Sequence, residues 1–270
     1  MSSSVPAAAP SILTPHRPVN DPVVSARSLT KVYGRGSGAV AALDSVNVDI
    51  ARARFTAIMG PSGSGKSTLM HCLAGLDSIT SGEIMLDGDM VSSMSQRRLT
   101  RLRRERIGFI FQSFNLVPTL TAAENITLPL DIARKKVNPQ RFDQVIDAVG
   151  LRERLSHRPA ELSGGQVQRV ACARALVGEP AVVFADEPTG NLDSHSTDQV
   201  LEILRRSVDD LGQSVVMVTH EPEAAAWADT VIFLRDGHVV AELADPNRDR
   251  VLDALRELSE ADSAPATKGA

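Results

Sequence analysis

Residues 60–67 of this 270-residue chain are Gly-Pro-Ser-Gly-Ser-Gly-Lys-Ser, which fits the pattern G-x-x-x-x-G-K-[S/T] at every fixed position. The short apolar run Phe55–Met59 leads into this segment, and Lys66–Leu73 follows it with a helical pattern, with Gly75 as a plausible stop. Glycines let successive backbone N–H groups point inward, and a helix N-terminus adds positive partial charge. The segment therefore predicts a phosphate-binding loop between a buried strand and a helix, which is typical of an α/β fold.

The side chains of this loop predict a nucleoside triphosphate and magnesium as its ligands. Lys66 is expected to neutralise charge on the β- and γ-phosphates, and the Ser67 hydroxyl to ligate Mg²⁺. We expect the Lys66 amine to be accessible to solvent. The residues of the loop predicted to bind ATP are Gly60, Pro61, Ser62, Gly63, Ser64, Gly65, Lys66, Ser67 and Thr68.

Two adjacent carboxylates, Asp186 and Glu187, follow five apolar residues at 181–185. An acidic residue at the carboxyl end of a buried strand lies where ligands bind in open α/β sheets. Asp186 is predicted to hold Mg²⁺ through water, and Glu187 to act as the general base that polarises an attacking water. A pair of carboxylates in a surface loop is the alternative, but the apolar run before them disfavours it.

The remaining pattern predicts a mixed, mainly parallel sheet flanked by helices. Short apolar runs at 181–185 and 214–218 enclose a helical pattern at 197–211, which indicates a parallel crossover unit. Residues 230–241 predict a closing hairpin around Asp236-Gly237. Residues 23–50 alternate in polarity and predict antiparallel strands joined by a glycine-rich turn.

The domain organisation predicted from this pattern is one domain at 23–260. It has an N-terminal antiparallel β-subdomain, a P-loop NTPase core and an inserted helical subdomain at about 92–160. The segments 1–22 and 261–270 are rich in small residues and proline, and we expect them to be disordered tails.

Composition limits the classes of partner. The chain has 29 basic and 33 acidic residues and a formal charge of −4, so no nucleic acid partner is expected. Two cysteines, Cys72 and Cys172, are too few for a disulfide framework and are expected to pack in the core. No apolar run approaches the roughly 20 residues that cross a bilayer, so we expect an intracellular protein that reaches a membrane through a partner.

The pentapeptide Leu162-Ser163-Gly164-Gly165-Gln166 combines a good helix N-cap, Ser163, with two glycines that allow a phosphate to approach. With this motif the chain resembles the ATP-binding cassette (ABC) family over residues 23–244, because the pentapeptide is that family's signature. The resemblance implies that Tyr33 stacks on adenine and that Gln112 links Mg²⁺ to the helical subdomain. It also implies that His220 lies near the γ-phosphate and that Asp193, in the run 190–193, contacts an opposite subunit.

The same resemblance implies a head-to-tail homodimer in which the phosphate loop of one chain faces the signature of the other across ATP. It implies a separate integral-membrane permease and a location at the cytoplasmic face of the cell membrane. Within the family, residues 190–194 and 111–128 are most similar to macrolide-efflux and lipoprotein-release ATPases. Cell-division ATPases belong to the same group, so an ATPase that drives a membrane partner without moving a solute stays open. A soluble family member of DNA repair or translation is a third, weaker alternative.

Two surface features remain open at this stage. Six arginines, at positions 97, 98, 101, 103, 104 and 106, predict either a solvated helix face or a contact with a membrane partner or anionic lipid. We expect the stretch 97–130 to dock a cytoplasmic helix of the permease. Apolar residues Phe114, Leu116, Val117 and Leu120 belong to that surface or, alternatively, to the core of the subdomain itself.

Overall fold

The computed structural model describes residues 12–14 and 19–263. In chain order its strands and helices are β1 (Pro22–Tyr33), β2 (Val40–Ala51), β3 (Phe55–Met59), α1 (Lys66–Leu73), β4 (Ser81–Leu86), β5 (Asp89–Met90), α2 (Gln96–Arg106), β6 (Ile107–Phe111), α3 (Ala122–Ala133), α4 (Pro139–Val149), α5 (Gly164–Leu176), β7 (Val182–Asp186), α6 (Ser194–Asp209), β8 (Val215–Val218), α7 (Pro222–Ala225), β9 (Thr230–Arg235), β10 (His238–Ala244) and α8 (Arg248–Ser263). Among these described residues, no helix combines the length and the apolar character needed to cross a bilayer.

The strands form two sheets, and this confirms the predicted α/β class. One sheet is antiparallel, with the order β2-β1-β4-β5. The other has the order β10-β9-β3-β8-β7-β6, and all its pairs are parallel except β9 with β10. Every residue of β3 and β8 is buried, as continuous apolar runs predict for strands covered on both faces.

Helices cover the parallel sheet on both sides and form two apolar clusters. One cluster joins the sheet to α3, α4, α5 and α6, and the other joins it to α1 and the antiparallel sheet. Phe55, Phe184 and Phe233 are among the largest fully buried side chains. This arrangement leaves the carboxyl ends of β3, β6, β7 and β8 at one edge of the sheet, where ligands bind in α/β folds.

Strand β6 is an element that the sequence did not predict. Ile107–Phe111 lies inside the range 92–160, for which mostly helices were expected, but it pairs in parallel with β7 as the edge strand of the core sheet. Six arginines precede this short apolar run and obscure it. Its partner strand is 75 residues away along the chain, since Ile107 pairs with Val182, so its conformation depends on tertiary pairing. The helices α3 and α4 do lie within the predicted range.

Part of the predicted N-terminal tail contacts the folded domain. Thr14 forms an isolated bridge with Glu242 of β10, and Ile12 and Leu13 pack against the first apolar cluster. Strand β10 is the edge of its sheet and offers unpaired backbone groups to such a segment. At the other end, α8 extends to Ser263, past the predicted boundary at 260. The rest of the predicted tails, 1–11, 15–18 and 264–270, lies outside the described residues.

Candidate active site

The phosphate loop connects β3 to α1 as its sequence predicts, and glycine is required at two of its positions. Gly60 and Gly65 have φ of 154° and 100°. A Cβ on Gly60 would lie 2.0 Å from the carbonyl oxygen of Leu234, and one on Gly65 would lie 2.4 Å from that of Ala42. The loop is therefore pressed against β9 and β2, and this contact sets the position of the α1 N-terminus.

Lys66 folds back over its own loop. Its Nζ donates to the carbonyl oxygens of Gly60 at 2.9 Å and Pro61 at 2.8 Å. The residue is only 7% exposed, so the expectation of a solvent-accessible amine is wrong. Burial lowers the pKa of Lys66, and the carboxylates of Glu187 and Asp186 oppose that change. The two carbonyls hold the ammonium group inside the loop.

Ser67 and Asp186, both predicted magnesium ligands, meet at the carboxyl edge of the sheet. The Ser67 hydroxyl donates to Oδ1 of Asp186 at 3.1 Å. Burial raises the pKa of Asp186, and the hydrogen bond from Ser67 partly offsets this effect. His71 Nε2 lies 3.7 Å from Oδ2 of the same carboxylate, a neighbour that no sequence pattern indicated.

Glu187 turns away from Asp186 and faces His220. Its φ of 45° is in the left-handed region, which costs about 1 kcal/mol or more for a residue other than glycine. Its N–H donates to the carbonyl of Val218 at 2.9 Å, and its Oε1 lies 3.0 Å from Nδ1 of His220. The sequence predicted a role for each side chain but not their direct contact, which arises because β7 and β8 are adjacent strands.

Gln112 follows β6 and lies against the loop at 190–193. A Cβ on Gly190 would lie 2.9 Å from Nε2 of Gln112, and Asn191 Nδ2 donates to the Gln112 carbonyl at 3.2 Å. In the same loop Asp193 caps α6, because its carboxylate accepts from the N–H of Ser196 at 2.9 Å. Hydrogen bonding from Ser196 lowers the pKa of Asp193. The structure thus joins two predicted functional segments that are far apart in sequence.

Tyr33 presents its ring at the end of β1 and is 43% exposed. Its hydroxyl donates to Oδ2 of Asp77 at 2.6 Å, and the Lys31 ammonium lies 4.6 Å from the ring centroid. Lys31 also pairs with Asp77 at 2.8 Å. Burial raises the pKa of Tyr33, whereas hydrogen bonding with Thr68 of α1 lowers it. Sequence reasoning missed Lys31 and Asp77, because neither belongs to a motif.

The signature residues begin α5, and Ser163 is its N-cap as predicted. Its Oγ accepts from the N–H of Gln166 at 3.3 Å, and its own N–H donates to Oε1 of Gln166 at 2.9 Å. A Cβ on Gly165 would lie 2.6 Å from Oγ of Ser196, so the N-termini of α5 and α6 are in close contact. Ser163 and Gly164 are exposed.

A cavity of about 720 Å³ adjoins the phosphate loop. Its lining includes Gly60, Lys66, Glu187 and His220, together with apolar side chains of β9, β10 and α8. Among the described residues that line it, none belongs to the range 162–166. The fold places the phosphate loop, the two carboxylates and the histidine close together. Residues 162–166 of the same chain do not line this cavity.

A phosphate loop at the carboxyl edge of a parallel sheet, with paired carboxylates and a histidine beside it, defines a P-loop nucleoside triphosphatase. A family model described as ABC transporter matches residues 43–190, more than half of the chain. This chain belongs to that family, which confirms the resemblance stated above, and it is accordingly an ATPase.

Similar proteins agree with this assignment. An uncharacterized ABC transporter ATP-binding protein of Methanocaldococcus jannaschii is 47% identical over 81% of this chain and 98% of its own length. The macrolide export ATP-binding/permease protein MacB of Bdellovibrio bacteriovorus is 44% identical over 82% of this chain, but the match spans only 34% of that protein. A solved dimeric ATP-binding cassette in a post-hydrolysis state, bound to ADP and Pi, is 39% identical with a TM-score of 0.74, over 83% of this chain and 99% of that one.

Proposed function

We propose that this chain hydrolyses Mg-ATP as a head-to-tail homodimer and passes the resulting conformational change to a separate integral-membrane permease. One observation carries the proposal: the cavity at the phosphate loop contains Lys66, Glu187 and His220 but no described residue of the range 162–166. A nucleotide in this cavity then meets the signature residues of a second chain. The similarity to a dimeric cassette bound to ADP and Pi supports this assembly.

Within one chain, residues 60–68 bind the phosphates of ATP and Tyr33 stacks on its adenine. The loop supplies backbone N–H groups and the Lys66 ammonium, and the ring of Tyr33 is half-exposed beside α1. From the second chain, the exposed N-terminus of α5 with Leu162, Ser163, Gly164, Gly165 and Gln166 contacts the same nucleotide. Asp193, at the start of α6, contacts the opposite subunit.

The residues near Ser67 fit a magnesium ion. A hydroxyl oxygen and a carboxylate oxygen, on Ser67 and Asp186, lie 3.1 Å apart at the mouth of the loop, and Gln112 can add an amide oxygen. The described residues contain no cluster of three or more His, Cys, Asp or Glu that could hold a metal. Mg²⁺ suits this sparse set, because it commonly takes one or two carboxylates and completes its shell with phosphate oxygens and water. When bound, the ion neutralises charge on the β- and γ-phosphates.

Hydrolysis depends on Glu187 and His220. In the arrangement that we propose, His220 donates from Nδ1 to Oε1 of Glu187, which leaves Oε2 to accept a proton from the attacking water. Asp186, one residue earlier, is directed to Ser67 instead. The backbone turn at Glu187 therefore separates the magnesium ligand from the general base.

The permease contact that we propose lies in the loop 113–120, directly after Gln112. Arg174 donates to the carbonyls of Phe114 and Asn115 at 2.8 and 2.6 Å, and these bonds fix the loop to α5. Phe114, Leu116, Val117 and Leu120 are half-buried, and Leu116 packs against the first apolar cluster, so core packing accounts for part of their apolar character. Pro118 and Thr119 are exposed and remain free for a partner.

The transporter class that we propose is an exporter of a drug, peptide or lipoprotein, at the cytoplasmic face of the cell membrane. The similarity to macrolide export ATP-binding/permease proteins supports it. This chain spans about a third of those proteins. A purified complex whose ATPase responds to the partner but which moves no solute would favour the mechanical alternative.

The test of the dimeric site is Glu187→Gln. The amide keeps the shape of the side chain but cannot accept a proton, so hydrolysis should fall at least ~100-fold while ATP still binds. The ATP-bound dimer should accumulate and be visible by size-exclusion chromatography with multi-angle light scattering. Glu202→Gln, on the exposed face of α6, is the matched control and should behave as wild type.

A monomeric Glu187→Gln variant at saturating ATP and magnesium would contradict the proposal. Ser163→Arg gives an independent test, because a bulky cation at the exposed start of α5 should prevent closure of the dimer without affecting ATP binding to each chain. Full turnover by that variant would show that the signature is not part of the site.

A further inference from the structure

Helix α2 carries a strongly basic outer face. At about 100° per residue, Arg97, Arg98, Arg101 and Arg104 fall within roughly 120° of one another, and all four are exposed. Leu99 and Leu102 lie outside this arc and pack against the second apolar cluster, and Leu102 is only 5% exposed. The helix is thus amphipathic, and its outward side consists of arginines and Glu105.

A second basic segment lies beside this helix. Arg134, Lys135 and Lys136 follow α3 and are all exposed, and Ile132 at the end of α3 is 60% exposed. Arg104 joins the two segments, because its Nη1 donates to the Ile132 carbonyl at 3.5 Å. Arg104 and Lys135 also line one cleft of about 200 Å³, together with Pro129 and Leu130.

We call these seven cations the basic face: Arg97, Arg98, Arg101, Arg104, Arg134, Lys135 and Lys136. Glu105 and Asp131 are the acidic residues on the same two segments, so seven positive and two negative charges leave a local net charge of +5, whereas the whole chain has −4. Glu105 lies 3.0 Å from Arg101 and 3.8 Å from Arg104. Among the described residues, no carboxylate pairs with Arg97, Arg98, Arg134, Lys135 or Lys136.

We propose that the basic face binds the anionic headgroup surface of a membrane directly, without the permease. Cations near such a surface each contribute about a fivefold increase in partitioning. Ile132, exposed among the cations, suits the boundary between headgroups and acyl chains. The cleft that includes Arg104 and Lys135 is lined by both cationic and apolar side chains, together with Glu105, and this combination suits a lipid headgroup and the start of its chains.

The alternative polyanion, a nucleic acid, fits this surface less well. Single-stranded nucleic acids are bound largely by stacking on exposed aromatic side chains, whereas Phe109, which lines the cleft, is half-buried and stacks with Phe111 and Phe184. An array of exposed cations beside an exposed aliphatic side chain favours the lipid surface.

The experiment uses the full chain and vesicles of phosphatidylcholine with or without phosphatidylglycerol, with no permease present. We expect the wild type to float with the anionic vesicles and not with the neutral ones, and binding should weaken as salt screens the charges. Arg97→Gln/Arg98→Gln and Arg134→Gln/Lys136→Gln should each reduce partitioning about 25-fold, since each removes two cations. Their melting temperatures should match the wild type, because these side chains form no ion pair.

The matched control is Arg206→Gln/Arg256→Gln, which makes the same change in net charge at exposed positions of α6 and α8. It should bind vesicles as the wild type does. Equal loss in the control, or no wild-type binding to anionic vesicles at low salt, would overturn the proposal. So would tighter binding to a single-stranded oligonucleotide through the same arginines. Because no permease is present, failure here leaves the proposed ATPase function intact.

Discussion

Replacing Lys66 by methionine should leave the chain folded and remove most of its affinity for ATP. Methionine keeps much of the side-chain volume, whereas alanine would also open a cavity in the loop. The variant loses the charge and both hydrogen bonds from Nζ to the carbonyls of Gly60 and Pro61.

The structure gives the expected magnitude for each effect. Hydrogen bonds from a charged donor contribute about 1.5–3 kcal/mol each to the free energy of unfolding. Burial of an ammonium group costs several kcal/mol, and the lowered pKa of Lys66 reflects that cost. The net change in unfolding free energy should therefore stay within about 2 kcal/mol, or a melting shift below about 8 °C. For ATP, one unit charge about 4 Å from a phosphate charge is worth about 4 kcal/mol near a protein surface, which corresponds to roughly 10³-fold weaker binding.

Thermal melting and isothermal titration with Mg-ATP measure the two effects separately. Arg256→Met removes an exposed cation on α8 and should change neither ATP affinity nor melting by a measurable amount. ATP affinity within tenfold of the wild type in Lys66→Met would refute the electrostatic reasoning. A melting shift much larger than about 8 °C would show that Lys66 stabilises the fold. The cost of burying its ammonium group would then not offset the gain from its two hydrogen bonds.

Three further predictions concern single groups. Asp186→Asn should abolish hydrolysis yet raise the melting temperature of the ligand-free chain at neutral pH. Burial raises the pKa of Asp186, so the stability that its carboxyl group contributes is fully present below the ordinary pKa of 3.8 and is lost as pH rises through the pKa of the folded chain. When melting temperatures are measured against pH, the advantage of Asp186→Asn over the wild type should therefore disappear in acid. Tyr33→Phe should bind ATP within about threefold of the wild type, and Tyr33→Ala about tenfold more weakly. In the site that we propose, the ring of Tyr33 stacks on the base, and this contact does not need the hydrogen bond from its hydroxyl to Asp77. Cys72 and Cys172 should resist iodoacetamide in the native state at pH 8, because burial raises the pKa of the two thiols to about 11 and about 12, respectively. Both should react after unfolding in guanidinium, and mass spectrometry measures the extent of modification.

Elements whose cause is local could be predicted from the sequence. The bounds of β3 and α1 match the predicted segments Phe55–Met59 and Lys66–Leu73, because an apolar run, a glycine loop and a helix start follow one another within a few residues. Ser163 was predicted as an N-cap for the same reason: its hydroxyl bonds a backbone N–H three residues away. Such contacts need no knowledge of the rest of the chain.

Features that depend on distant partners could not be predicted in this way. Strand β6 exists because β7 offers it a parallel edge, and the arginines before it gave a helical pattern. The contact between Glu187 and His220 requires β7 and β8 to be neighbours and a left-handed turn at Glu187. The burial of Lys66 follows from two carbonyls of its own loop, whose direction depends on β9 and β2 behind it.

By itself, the sequence indicated the family and the α/β class, and it predicted the chemical groups of the site, because phosphate binding requires glycine, lysine and serine at set spacings in one short segment. The tertiary structure alone decided which of those groups meet. It brings Ser67 to Asp186 and His220 to Glu187, because the carboxyl ends of adjacent parallel strands share one edge of the sheet. It also leaves the signature at 162–166 out of the cavity of its own chain, because α5 begins beside α6 rather than beside the phosphate loop.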